Sequence, residues 1–251
     1  MIFKRAVARL RAQDWVALSI ELAIVTVGVI IALAAQQMAE ERSWQAKVEA
    51  SKSALRYELA EHYSYAVEFR AVYPCLQAQL NRLRNRVVSS GATLNPAPIY
   101  KELRDDYVLR MPSKFYPADV WEEALNGGIV QRFKPTTRRR LAGYYAALKT
   151  LQESNSANSQ GEQALMVVAH PMPLDASVRF SIIGQIEQLS GRLQALDTMN
   201  GQIIDYLDQM EMVPPAGEAR AVTQRYGTYR FCKAHGLPMR SFKDAMQSVS
   251  N

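Results

Sequence analysis

Residues that carry chemistry are scarce in this 251-residue chain, which has three histidines and two cysteines. His62, His170 and His235 are too few and too scattered to form a dedicated site. Glu58 and His62 stand at i, i+4, a spacing metal sites use, but the second histidine of H-E-x-x-H is missing. His62 therefore reads as a core or interface residue, and the other two histidines as turn residues. There is no G-x-S-x-G elbow, no G-x-x-x-x-G-K-[ST] phosphate loop and no G-x-G-x-x-G after a strand. The sequence thus gives no catalytic, cofactor-binding or metal-ligating set, and its function reads as non-enzymatic. Strand signals are also nearly absent.

Excess charge of one sign is lacking too. The formal charge is +6, and Lys4, Arg5, Arg9 and Arg11 against Asp14 supply half of it. The remainder is only mildly basic, whereas a nucleic-acid binder concentrates positive charge on one face or stripe. Arg138-Arg139-Arg140 comes nearest and reads as a solvated helix face. Asp105-Asp106 and Glu122-Glu123 are adjacent, so each pair points to different sides of a helix and is solvated. Phe115, Tyr116, Trp121, Tyr144 and Tyr145 read as core packing.

What the chain does have is one long apolar run. From Trp15 to Ala35 only Ser19, Glu21 and Thr26 are polar, and residues 22 to 39 carry no charge. Such a segment is long enough to cross about 30 Å of hydrocarbon as a helix. Basic residues precede it and Glu40-Glu41-Arg42 follow, so the positive-inside rule keeps the N-terminus in the cytoplasm. A cleavable signal peptide is the main competing reading, because Ala32-Leu33-Ala34 imitates an A-x-A cleavage site. A buried core helix is the third. The length of the run, together with Asp14 and Glu21 at and within it, favours a retained anchor. The resulting divisions are a cytoplasmic basic arm at 1–14, a transmembrane helix at 15–38 and a helical outer domain at 39–251.

Two features of the anchor point beyond holding. Glu21 is an ionisable group in an apolar span, which suggests a proton-accepting site or a polar helix contact. It also lies six residues past Trp15, roughly 9 Å along a helix, which suits the headgroup region equally. Gly28 and Ala32 form a small-xxx-small pair that lets two helices approach closely.

The segment resembles a known family on these residues: Glu21-Leu22, Val25, Gly28-Val29, Ile31-Ala32-Leu33, Gln36-Gln37, Glu40-Glu41 and Trp44. It is similar to the start of a family of uncharacterised bacterial single-pass membrane proteins with an E-L-x-x-V-x-x-G-V-x-I-A-L helix and a helical outer domain. The likeness continues loosely through Ala118-Asp119-Val120-Trp121, Gly127-Gly128 and Tyr144-Tyr145. Many members carry Asp-Asn-Trp-Asn after the helix, where this chain has Met38 to Trp44. The resemblance implies a bacterial inner-membrane anchor and a periplasmic domain, with the lipid bilayer as one partner, and no chemistry.

Beyond the anchor the periodicity is helical throughout. Leu55, Leu59, His62, Ala66, Phe69, Tyr73, Leu76, Leu80, Leu83 and Val87 alternate steps of four and three, a heptad-like stripe. Because the register survives Pro74, a kinked continuous rod is expected in preference to two helices. Short helices are expected near 99–106 and 118–125, a long one from Thr136 to about Val168, and a break at His170-Pro171-Met172-Pro173. Asp175 would cap the next helix, with Ile182, Ile186, Leu189, Leu193, Leu196, Ile203 and Leu207 inward. Pro214-Pro215 would end it, and a final helix would cover about 218–234. The expected fold is all-α: an up-and-down bundle of three or four long helices with shorter ones packed on it.

Cys75 and Cys232 fit one long-range disulfide in an oxidising compartment, or two unrelated thiols otherwise. With the domain outside the cytoplasm they are expected to pair. The leading functional expectation is an envelope interaction or scaffold protein that self-associates or binds another envelope protein. The alternative is a ligand-binding or sensory ectodomain acting through a partner.

Overall fold

The structure, a computed structural model, describes residues 15–101, 106–210 and 214–247. The arm expected at 1–14 lies outside the described residues. The fold is all-α, with one short hairpin among the described residues. The chain divides into two compact units, Met1–Lys52 and Ser53–Asn251. Helix α1, Trp15–Ser89, contributes to both.

In the first unit α1 is helical and uncovered. Its most apolar 18-residue window has a mean hydropathy of 2.6, and 0% of it is buried. The helix is long and apolar enough to cross a membrane. The few hydroxyls in this stretch bond back to their own helix: Ser19 donates to the Trp15 carbonyl and Thr26 to that of Leu22, each at 2.8 Å. From residue 40 the surface turns polar, with Lys52 paired to Glu49 at 2.6 Å and Lys47 over the Trp44 ring at 4.9 Å.

In the second unit α1 continues without interruption through Pro74. A proline inside a helix removes one i to i−4 bond and loosens the preceding turn. There the backbone N–H of Arg240 donates to the Ala71 carbonyl at 2.9 Å, so a distant segment supplies a donor. The expected stripe is buried at every position except Tyr73, which is half-buried. Each leucine so buried stabilises the domain by roughly 2 kcal/mol. Burial goes further than a stripe, however. Between His62 and Val72 every residue but Tyr65 is buried, which makes this part of α1 a central helix wrapped on all sides.

Among the described residues, four short elements lie between α1 and the next long helix. Strands β1, Tyr100–Lys101, and β2, Asp106–Tyr107, form an antiparallel hairpin with Tyr100 opposite Tyr107. The helix expected near 99–106 is therefore a hairpin, with residues 102–105 outside the described set. Pro96 and Pro98 hold the approach extended. Tyr100 and Tyr107 stack across the strands at 5.9 Å, a contact helical spacing would not give. Helix α2, Asp119–Asn126, matches the expected position. Gly128 then adopts φ +70, a left-handed turn conformation that favours glycine, ahead of a 3-10 turn at Ile129–Arg132.

Helix α3, Pro135–Ala164, starts with proline in its first turn, where no N–H is missed. It gives way to a 3-10 turn, Leu165–Ala169, and not to four further residues of α-helix. Helix α4, Ala176–Gln209, is capped by Asp175, whose carboxylate accepts from the Val178 N–H at 2.8 Å. All seven inward residues expected of α4 are buried. Arg84 to Glu187 at 2.8 Å and Ser190 to Gln77 at 2.7 Å place α4 antiparallel to α1. Leu189 beside Gly161, and Arg140 on the Gln209 carbonyl at 2.8 Å, place α4 antiparallel to α3 as well. Thus α1 and α3 run parallel, joined by the long return through the hairpin and α2. The Arg179 guanidinium closes the C-terminal end of α1 by donating to the carbonyls of Val87, Val88, Ser90 and Gly91.

The single final helix expected at 218–234 is two: α5, Ala216–Thr223, and α6, Gly227–Ala234. The break falls at Gln224 to Tyr226, where Tyr226 is extended (ψ 145). A side chain at Gly227 would stand 2.7 Å from the Arg110 guanidinium, the mobile end of a long side chain that would have to shift. A short helix, α7, follows at Phe242–Ala245.

Candidate functional site

Glu21, Gly28 and Ala32 all lie on the uncovered part of α1 and are exposed. At 100° per residue, spacings of seven and eleven put them on one face about 40° wide. A Cβ added at Gly28 would meet nothing within 4 Å, so nothing inside this chain requires glycine there.

Cys75 and Cys232 form a disulfide, with Cα atoms 6.0 Å apart, that ties α6 to the part of α1 inside the second unit. Both are fully buried. Around this tie the central helix carries buried polar groups, of which periodicity singled out only His62.

The first cluster joins α1, α2 and α3. Glu58 is buried, accepts from the Tyr145 hydroxyl, and takes the Val120 N–H at 3.1 Å. Because Ala118 offers α2 no side-chain cap, Glu58 supplies that function from another helix. His62, fully buried, shares a 2.9 Å hydrogen bond with the Tyr144 hydroxyl. Burial drives its pKa down to about 4, against a weaker opposing pull from the Pro117 carbonyl, so the ring is neutral at neutral pH. The Glu58 carboxyl is raised, chiefly by burial, and the Tyr144 and Tyr145 hydroxyls are raised by burial too. Trp121 stacks on Tyr145 at 5.0 Å, and Tyr116 donates to Asn200 at 3.0 Å. Of the aromatic group read as core, Phe115 alone is exposed, at 69%. Glu58 thus spends its carboxylate on Tyr145 and a helix end, and His62 its Nδ1 on Tyr144. Among the described residues His62 Nε2 has no hydrogen-bond partner, and no acidic, histidine or cysteine cluster could hold a metal.

The second cluster centres on Glu68, fully buried, with Lys114 Nζ 3.3 Å from its carboxylate. Burial raises this carboxyl and Lys114 opposes that rise. The same ammonium sits 3.3 Å from the Tyr226 ring centroid, which pins the turn between α5 and α6. In the third, Arg240 grips Asp197 with two bonds of 2.8 and 2.9 Å, and buried Arg70 lies 3.8 Å from the same carboxylate. Arg70 also donates to the Gln247 carbonyl.

These groups are charged or polar in the middle of a core, and every shift at His62, Glu58 and the tyrosines favours the neutral form. Together they set register and close helix ends. Sequence reasoning missed Glu68, Arg70, Lys114, Asp197 and Arg240. Glu61, Ser64 and Glu68 recur at steps of three and four like a solvated face, so the sequence carried no local signal that Glu68 is buried.

Two clefts of about 420 Å³ open on the second unit. One lies between the hairpin and α6, with Tyr100, Tyr107, Phe231, Arg230 and His235 on its walls. The other lies beside α2, with Trp121, Leu125, Arg138 and Arg139. Neither reaches the buried clusters except through Trp121. No family model, curated protein or solved structure matches the chain.

Proposed function

We propose that the chain is a single-pass protein of the bacterial inner membrane, N-terminus in the cytoplasm, whose periplasmic helical domain serves as a non-enzymatic interaction or scaffold module. The bare apolar stretch of α1 carries this reading. A helix with 0% of its apolar window buried exposes far more hydrocarbon than water tolerates, and a bilayer covers it. The basic residues before it and Glu40-Glu41 after it support the orientation. The disulfide supports an oxidising compartment for the domain. The resemblance of residues 21–44 to bacterial membrane proteins agrees with both. The face shared by Glu21, Gly28 and Ala32 supplies a surface on which a second transmembrane helix packs, with Glu21 as a polar contact.

The test is protease protection in spheroplasts carrying the chain tagged at both ends, combined with in-membrane crosslinking and mass spectrometry. Expected are digestion of the C-terminal tag, protection of the N-terminal one, and a crosslinked homo-oligomer or defined partner. A chain cleaved after Ala34 and released, or a protein that stays monomeric without partner in the membrane, would falsify the proposal.

A further inference from the structure

The apolar stripe of α3 stops where the cleft between α3 and α4 begins. Leu141, Tyr144, Leu148 and Leu151 are buried, and the same steps of three and four then reach Asn155, Asn158 and Glu162 before Leu165. Asn158 is buried to 1% exposure, yet neither Oδ1 nor Nδ2 has a hydrogen-bond partner among the described residues. An orphaned buried carboxamide is costly, and native proteins satisfy such groups with protein, water or ligand. Asn158 lines a cleft of about 140 Å³ with Ser154, Ala157, Arg192, Leu196 and Met199. The orphan borders the space but is shielded from it, and a turn about χ2 brings its amide edge into the cleft.

The lining defines what would fit. Asn158 offers a donor and an acceptor side by side, and its χ2 torsion is broad enough to turn either toward the cleft. The Arg192 guanidinium holds the Ala157 carbonyl at 3.3 Å and keeps further N–H groups for an anion. No carboxylate lines the cleft. Ala157, Ala195, Leu196 and Met199 form the apolar part of the wall, and the Ser154 hydroxyl beside them donates to the Thr150 carbonyl at 2.9 Å.

We propose that this cleft binds a small α-amino or α-hydroxy carboxylate. Its carboxylate accepts from Arg192 and from Asn158 Nδ2, its ammonium or hydroxyl donates to Asn158 Oδ1, and its short apolar end lies against Leu196 and Met199. The volume excludes anything of nucleotide size. The site is independent of the membrane reading, since it uses α3 and α4 alone.

The full chain in detergent is titrated calorimetrically with glycine, L-alanine and L-lactate as probes. Saturable binding of at least one probe is expected at or below about 1 mM, as suits so small a ligand. Asn158→Leu abolishes it while raising the melting temperature of the unliganded protein, because an apolar side chain of similar size replaces the orphan. Arg192→Met, at an exposed position, weakens binding at least tenfold without shifting the melt. Absence of saturable heat for all three probes in a cooperatively folding wild-type sample means water fills the cleft, and overturns the proposal. Wild-type affinity in either variant does the same, and if Asn158→Leu does not fold, Arg192→Met decides alone.

Discussion

Acidification from pH 7.5 to 4 costs the domain about 3 kcal/mol through His62 alone. The ring is fully buried, and its pKa falls from the ordinary 6.5 to about 4. As pH drops through 6.5 the unfolded chain takes up a proton that the folded one refuses until about pH 4. The unfolded state gains over that window, so stability is lost as pH falls, and the 2.5-unit gap corresponds to about 3 kcal/mol at 1.36 kcal/mol per unit. Glu58 and Glu68 act in the opposite sense. Their raised carboxyls bind protons in the folded state first, so acidification through their titration favours folding. The net curve mixes these terms, and a difference isolates the first. His62→Gln keeps a hydrogen-bonding partner for Tyr144 and cannot titrate. Urea unfolding of both proteins across this pH range gives two curves of stability against pH. The wild type falls further than His62→Gln by about 3 kcal/mol, whatever the variant loses at neutral pH. Parallel curves refute the reasoning, and would mean that His62 takes up its proton in the folded state near 6.5.

Reducing the disulfide, or replacing Cys75 and Cys232 by alanine, frees a loop spanning 157 residues of sequence. Chain entropy sets the loss at about 5 kcal/mol, and differential scanning fluorimetry with and without reductant reads it as a melting temperature lowered by about 10 to 20 °C. Asp197→Ala leaves the half-buried charge of Arg240 and the buried charge of Arg70 without their carboxylate. Denaturant titration is expected to show a loss of about 3 to 5 kcal/mol. Glu58→Ala strips the Val120 N–H and the Tyr145 hydroxyl of their acceptor at once. It is expected to cost about 2 to 4 kcal/mol, with hydrogen exchange rising in α2 before it rises in α4.

The helical skeleton was legible because one physical rule, apolar residues recurring every three or four positions, governs every helix that packs on one side. Leu55 to Val87 and Ile182 to Leu207 obey it, and the Asp175 cap adds a local polar signal that needs no partner elsewhere. The Cys75–Cys232 pairing followed from compartment and from there being no third cysteine. The rule failed where contacts came from far along the chain. Tyr100 and Tyr107 look helical in isolation and pair only across a hairpin. The turn at Tyr226 is held by Lys114, more than a hundred residues earlier. Glu68 and Arg70 read as surface charges on a one-sided helix, and become interior once α4, α6 and α7 close around α1. Asn158 hides for the converse reason: it occupies a core position while looking like part of a polar surface run.

Stripes and charges divide the work of specifying this domain. A heptad-like row of leucines tells α1 and α4 to pack but says little about register, since a slip by two turns returns similar side chains to similar places. The polar contacts between them do not survive such a slip. Gln77 with Ser190, Asp197 with Arg70, and Arg179 on the carbonyls of Val87 and Val88 fix one alignment from end to end. A one-turn displacement of about 5.4 Å would separate all of them and strand charges in the core, at several kcal/mol each. The disulfide adds a covalent point on the same helix at Cys75. Leucines therefore supply most of the stability, and the buried ions and amides, costly by themselves, determine which of several similar packings the chain adopts.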